Sequence, residues 1–200
     1  MTGRGPTRPG PVTGRLARER LVRAHHAPAD RTVAVFGARQ GSGVLLTDRP
    51  RVLLRGEAGA GKTTLLWWLA SHASALTLAD DLAALNGLVP FVVPLRTLRA
   101  RGVTFPGPAE LSSAAGLVID TAPEGWAGRV LESGRALLLV DGLDEVPPEE
   151  REQAHTWLAQ LLSRYPGSRC VTTVRPLAVG PDWLRSEGFE ELRPLPMRTP

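Results

Sequence analysis

Eight consecutive residues, Gly56-Glu57-Ala58-Gly59-Ala60-Gly61-Lys62-Thr63, carry the spacing G-x-x-x-x-G-K-T, and a second threonine, Thr64, follows. The chemistry of this pattern, the Walker A pattern, is phosphate binding. Gly56, Gly59 and Gly61 allow the backbone to turn its N–H groups inward around an anion, with no Cβ in the way. Glu57, Ala58 and Ala60 supply the remaining amides of the cradle. A helix starting at Lys62 and running on through Thr64 points its positive dipole end at the same anion. Lys62 reaches the β- and γ-phosphates, and Thr63 offers a hydroxyl to a Mg2+ bound to the nucleotide. Lys62 is the single lysine of the chain; the other 23 of its 24 basic side chains are arginines. A guanidinium is a wide planar fork, while an ammonium is a compact charge on a thin stem. A composition that prefers arginine keeps lysine where a narrow charge has a phosphate to meet.

Two further clusters could do chemistry. In Asp141-Gly142-Leu143-Asp144-Glu145, a carboxylate closes an apolar run and two more follow within four residues. Asp141 is expected as the direct or water-linked partner of Mg2+. Glu145 or Asp144 is expected to orient or deprotonate an attacking water. In Thr172-Thr173-Val174-Arg175, Arg175 is placed to sense a γ-phosphate and neutralise developing charge. Thr173 is placed to hydrogen-bond the water or a phosphate.

Specific elements must position these groups. Arg51–Arg55 reads as a short strand before the glycine loop, and Lys62–Ala75 as the helix after it, with Leu65, Leu66, Trp68 and Leu69 at helical spacing. Phe91–Leu95 reads as a second strand. Ala136–Val140 is a continuous apolar run, as expected of a parallel strand buried on both faces. Ser168–Val174 reads as a fourth strand and Glu190–Leu192 as a fifth. Between them, Ala109–Thr121 and Trp126–Ser133 read as helices. Pro147 and Pro148 open a longer helix whose apolar face is Ala154, Trp157, Leu158, Leu161, Leu162 and Tyr165. Strands alternating with helices predict an α/β fold with a mostly parallel sheet.

Composition narrows the class. At 200 residues, 42% apolar and 22% charged, the chain has globular values. Its apolar runs fall far short of the roughly 20 residues a membrane span needs, and no secretory signal is visible. One cysteine, Cys170, rules out an internal disulfide framework. A cytoplasmic protein is the expectation. The net charge of +4 is unevenly spread. Residues 1–50 hold nine arginines against three acids, a balance of +6, and residues 51–200 hold fifteen basic and seventeen acidic groups, a balance of −2. Three regions are expected: a basic, largely disordered tail over 1–31 with a short helix at Arg15–His25, a hairpin-like segment over 32–49 with strands Thr32–Phe36 and Val44–Thr47, and the α/β core over 50–200.

With the three clusters in this order, the chain resembles the NACHT family of P-loop NTPases, a signal-transducing class. The resemblance is carried by Leu54–Thr64 and by Leu138-Leu-Val-Asp-Gly-Leu-Asp-Glu-Val146, supported by Thr173–Pro176 and by Pro90–Leu95. It implies a three-layer sandwich with a five-stranded sheet in the order 5-1-4-3-2, the Arg175 strand lying between the two motif strands. It implies slow hydrolysis of ATP, or GTP, with Mg2+, and a nucleotide switch that drives oligomerisation. The sequence departs from the family at Val174, where serine is frequent. The resemblance also implies a helical lid after the core and an effector domain before it, neither expected within these 200 residues. Phe36–Asp48 resembles the opening strands of a trypsin-like domain, but no Gly-Asp-Ser-Gly nucleophile follows, and protease activity is not expected. His25 and His26 precede the hairpin; His72 and His155 fall on predicted helices.

The leading expectation is the NTPase core of a signalling switch. The first alternative is a catalytically weak, truncated interaction or oligomerisation module that binds nucleotide, or nothing, and pairs with a larger NACHT protein or with a second copy. The other is nucleic-acid contact through the basic arm, which lacks any aromatic residue for stacking before Phe36. A small-molecule kinase fits the Asp141–Glu145 cluster and Arg175 less well than a water-activating NTPase does.

Overall fold

The computed structural model describes residues 49–116, 122–180 and 182–194. The expected helix at Arg15–His25, the strands Thr32–Phe36 and Val44–Thr47, and the basic arm lie outside the described residues. Five strands form one sheet: β1 (Arg51–Arg55), β2 (Val89–Pro94), β3 (Ala136–Asp141), β4 (Arg169–Val174) and β5 (Glu190–Leu192). Their order is β2-β3-β4-β1-β5, and every pairing is parallel. This is the expected 5-1-4-3-2 order, with β4 between the two motif strands. Four α-helices connect them: α1 (Lys62–Ala75), α2 (Leu95–Ala100), α3 (Trp126–Glu132) and α4 (Arg151–Arg164).

The sheet is covered on both faces, which is why β3 is apolar without alternation up to its final residue. All of Ala136–Val140 is buried. On one face, Val52, Leu54, Leu137, Leu139 and Val171 pack under Leu65, Leu66, Leu69 and Ala73 of α1. On the other, Leu53, Phe91, Leu138, Val140 and Cys170 pack under α2, α3 and α4, the last through Ala154, Leu158, Leu161 and Leu162. Each fully buried leucine contributes roughly 1.5–3 kcal/mol of transfer free energy. Among the described residues no helix is long and apolar enough to cross a membrane.

Several expected elements shift. Val89–Pro94 is the second strand, and Leu95, expected at its end, instead starts α2. That helix was not foreseen, because an apolar run of this length does not show where extended backbone becomes helical. The helix expected over Ala109–Thr121 is absent from its described part, where a 3₁₀ turn at Pro108–Glu110 leads into further turns. There the Ser113 hydroxyl bonds the carbonyl of Glu110 at 3.1 Å, and Gly116 sits at φ 69°. Side-chain-to-backbone bonding of this kind competes with helix. Pro148–Glu150 also forms a 3₁₀ turn, so α4 begins at Arg151 rather than at the prolines.

Candidate functional site

The glycine loop is held at its start by the neighbouring strand: Gly56 N–H donates to the carbonyl of Val174 at 3.1 Å. Gly59 and Gly61 sit at φ 78° and 77°, left-handed backbone that a residue with a Cβ adopts only at a cost of about 1–2 kcal/mol. Gly61 caps α1, and its carbonyl accepts from Leu65 N–H at 2.9 Å. Lys62 folds back across the loop: its ammonium donates to the carbonyls of Gly56 at 2.5 Å and Glu57 at 2.8 Å. Burial pushes the Lys62 pKa down, against the opposing pull of the Asp144 and Asp141 carboxylates. Thr64 and Ala58 are exposed.

At the end of β3, three distant parts of the chain meet on one carboxylate. Asp141 Oδ2 accepts from the Thr63 hydroxyl at 2.8 Å, and Oδ1 accepts from the Thr173 hydroxyl at 2.6 Å. The Thr173 oxygen in turn accepts from Gly142 N–H at 2.8 Å. Thr173 is 1% exposed, with its hydroxyl turned to Asp141 and Gly142. The structure therefore places it as a brace for Asp141, where the sequence suggested contact with water or phosphate. Gly142 sits at φ 84°, and a Cβ there would lie 3.2 Å from the Glu145 side chain. This glycine turns the chain sharply, so that Leu143–Glu145 forms a 3₁₀ turn at the sheet edge.

The two acids on that turn face different cations. Asp144, largely buried, binds Arg175 twice: Arg175 Nε lies 2.8 Å from one carboxylate oxygen, and Arg175 N–H donates to the other at 3.2 Å. Glu145 pairs with Arg96 at 2.8 Å. Burial raises the Glu145 pKa; Arg96 opposes the shift, and Asp144 and Asp141 add to it. These groups border an open cleft of about 640 Å3, lined by Glu57, Arg96, Asp144, Glu145, Arg175 and Leu177 among others. All of them lie just beyond the C-terminal ends of β1, β2, β3 and β4, the edge at which open α/β sheets bind ligands.

Sequence reasoning missed Arg96, Arg99 and Arg55. Arg96 is the second residue of α2, just past the end of β2, and polar residues at strand ends were the signal that could have found it. Arg99 forks onto Glu150 with both terminal nitrogens and ties α2 to the start of α4. Arg55 is 4% exposed in the strand that enters the glycine loop. Among the described residues, no cluster of three or more His, Cys, Asp or Glu is arranged to hold a metal ion. Thr63 and Asp141 nonetheless supply a hydroxyl and a carboxylate side by side. That set suits Mg2+, which takes one or two protein oxygens and completes its shell with phosphates and water.

The family model described as NACHT domain matches residues 50–199. No curated protein matches the chain.

Proposed function

The chain belongs to the NACHT family, a class of nucleotide-binding P-loop NTPases, and we propose that this core binds ATP with Mg2+ and hydrolyses it slowly as the reset step of a signalling switch. GTP would meet the same phosphate contacts. The observation that carries the proposal is the 2.8 Å bond from Thr63 to Asp141, which joins the phosphate loop to the acidic strand end across 78 residues. A triphosphate held by that loop would lie beside the carboxylates and Arg175.

Each residue then has a task. The loop amides of Gly56 to Lys62 hold the β-phosphate, and the Lys62 ammonium moves from its two carbonyls onto the β- and γ-oxygens. Thr63 and Asp141 would hold Mg2+, which when bound supplies charge neutralisation at the phosphates. Thr173 keeps the Asp141 carboxylate turned toward Thr63. Glu145, made more basic by burial, accepts the proton of the attacking water. The water oxygen bonds the γ-phosphorus as the bridge to the β-phosphate breaks, releasing a nucleoside diphosphate and phosphate. Arg175 offsets the negative charge on the transferred group. Asp144 acts through Arg175, which it grips by backbone and side chain.

One observation favours a second reading. Glu145 is engaged by Arg96, so its carboxylate must leave that partner before it can take a proton from water. A chain held in that state would bind nucleotide and act as an interaction module, paired with a second copy or a larger relative. Thermal melts and phosphate release separate the readings. Millimolar ATP–Mg2+ should raise the wild-type melting temperature, because a ligand that binds the folded state alone stabilises it by mass action. No shift would sink both readings. A shift, with phosphate release no faster in wild type than in Glu145→Gln, would leave the binding module.

A further inference from the structure

Arg55 ends β1, one residue before the glycine loop, and its charge is almost wholly withdrawn from solvent. Burying a guanidinium is tolerated when its donors are matched. Here Nε donates to Glu191 Oε2 at 2.7 Å, which supplies the counter-charge. Nη1 donates to the carbonyls of Pro176 at 2.8 Å and Val179 at 3.0 Å, and Nη2 to that of Gly180 at 3.0 Å. Three of these four bonds fall on one short segment, 176–180, which follows Arg175. The planar fork with several fixed donors is what lets one side chain hold three carbonyls and a carboxylate together; an ammonium cannot reproduce it.

The segment carrying Arg175 is thus held from two sides. Asp144 grips residue 175, and Arg55 grips the carbonyls of residues 176, 179 and 180. Arg55 is itself bonded into the chain next to Gly56, whose N–H reaches Val174 and whose carbonyl holds Lys62. The start of the phosphate loop and the backbone around Arg175 therefore form one hydrogen-bonded body.

We propose that Arg55 is a positioning residue that fixes Arg175 against the phosphate loop, so that preference for a nucleoside triphosphate over the diphosphate depends on it. The proposal rests on the nucleotide-binding reading above. Arg55 touches no nucleotide; it acts through the loop it anchors. A purely structural role would weaken both nucleotides alike, and a positioning role weakens the one whose extra phosphate Arg175 meets.

The test measures dissociation constants for a non-hydrolysable ATP analogue and for ADP, both with Mg2+. The chains compared are wild type, Arg55→Lys, Arg175→Gln and the double variant. Arg55→Lys should weaken the triphosphate roughly 5- to 10-fold and leave ADP within about twofold. Arg175→Gln should do the same, and the double variant should be little worse than either alone, because residues acting as one unit are not additive. Equal losses for both nucleotides, additive effects, or no effect of Arg175→Gln would overturn the proposal. If Arg55→Lys does not fold, Glu191→Gln, which keeps an acceptor for Arg55 but removes its counter-charge, takes its place. It should lower the triphosphate preference by at least about twofold, and an unchanged preference overturns the proposal. Binding of neither nucleotide by wild type would overturn the underlying reading, and this proposal with it; binding with an unchanged preference in the variants would overturn this proposal alone.

Discussion

Replacing Thr173 by valine tests the brace on Asp141 without any nucleotide present. Valine keeps the shape and removes the hydroxyl. Two bonds go: the 2.6 Å donation to Asp141 and the 2.8 Å acceptance from Gly142 N–H. A hydrogen bond to a charged group contributes about 1.5–3 kcal/mol, and a buried N–H left without a partner costs about 1–3 kcal/mol. Asp141 is only partly buried, so water can replace part of the first loss. The extra methyl regains about 0.8 kcal/mol. The net expectation is a destabilisation of about 2–4 kcal/mol, or roughly 5–15 °C in melting temperature for a chain of this size. Urea denaturation followed by tryptophan fluorescence reads this directly, since five tryptophans are present. Thr173→Ser, which keeps the hydroxyl, should stay within about 1 kcal/mol of wild type. If Thr173→Val matches wild type within about 0.5 kcal/mol when free and loses stability only with nucleotide bound, the hydroxyl serves the nucleotide and the brace argument is wrong.

Three further outcomes are expected. Lys62→Arg should abolish the nucleotide-dependent rise in melting temperature as fully as Lys62→Ala, because the fork does not fit where the ammonium lies; a retained rise would show that charge alone suffices. Gly142→Ala should destabilise the free protein by about 1–2 kcal/mol through its left-handed φ and also disturb Glu145, which its Cβ would crowd; an unchanged denaturation midpoint would argue against the turn. The third concerns pH. Burial raises the Glu145 pKa, so the folded chain holds that proton more tightly than the unfolded chain. The stability from this group is full below the ordinary glutamate range and is lost as pH rises through its folded pKa. Wild type should lose stability relative to Glu145→Gln across that window, and parallel pH profiles would count against it. Removing Arg96, which opposes the shift, should move the window upward.

Much of the fold was legible in the sequence because local rules and tertiary context agreed. The glycine loop, α1, β1, β3 and β5 appeared where spacing and apolar runs placed them. The strand order came from the resemblance, not from periodicity. The misplaced elements lie where local signals compete. Leu95 reads as a strand residue until Pro94 ends the strand, and Ser113 with Gly116 breaks up what composition alone makes helical.

The division at the site has the same physical basis. By itself the sequence determined which groups could do chemistry, because a phosphate loop, an acidic strand end and a strand-end arginine are short contiguous patterns of residue type. It singled out Lys62 because a chain with 23 arginines keeps one lysine. Pairings across long separations were left to the tertiary structure, since contacts between segments from 31 to 125 residues apart leave no local spacing to read. The fold decided that Thr173 braces Asp141, that Asp144 holds Arg175 while Glu145 faces Arg96, and that Arg55 anchors the segment beyond Arg175. Parallel β1 and β4, side by side in register, bring Arg55 beside Val174 and so beside everything that follows it.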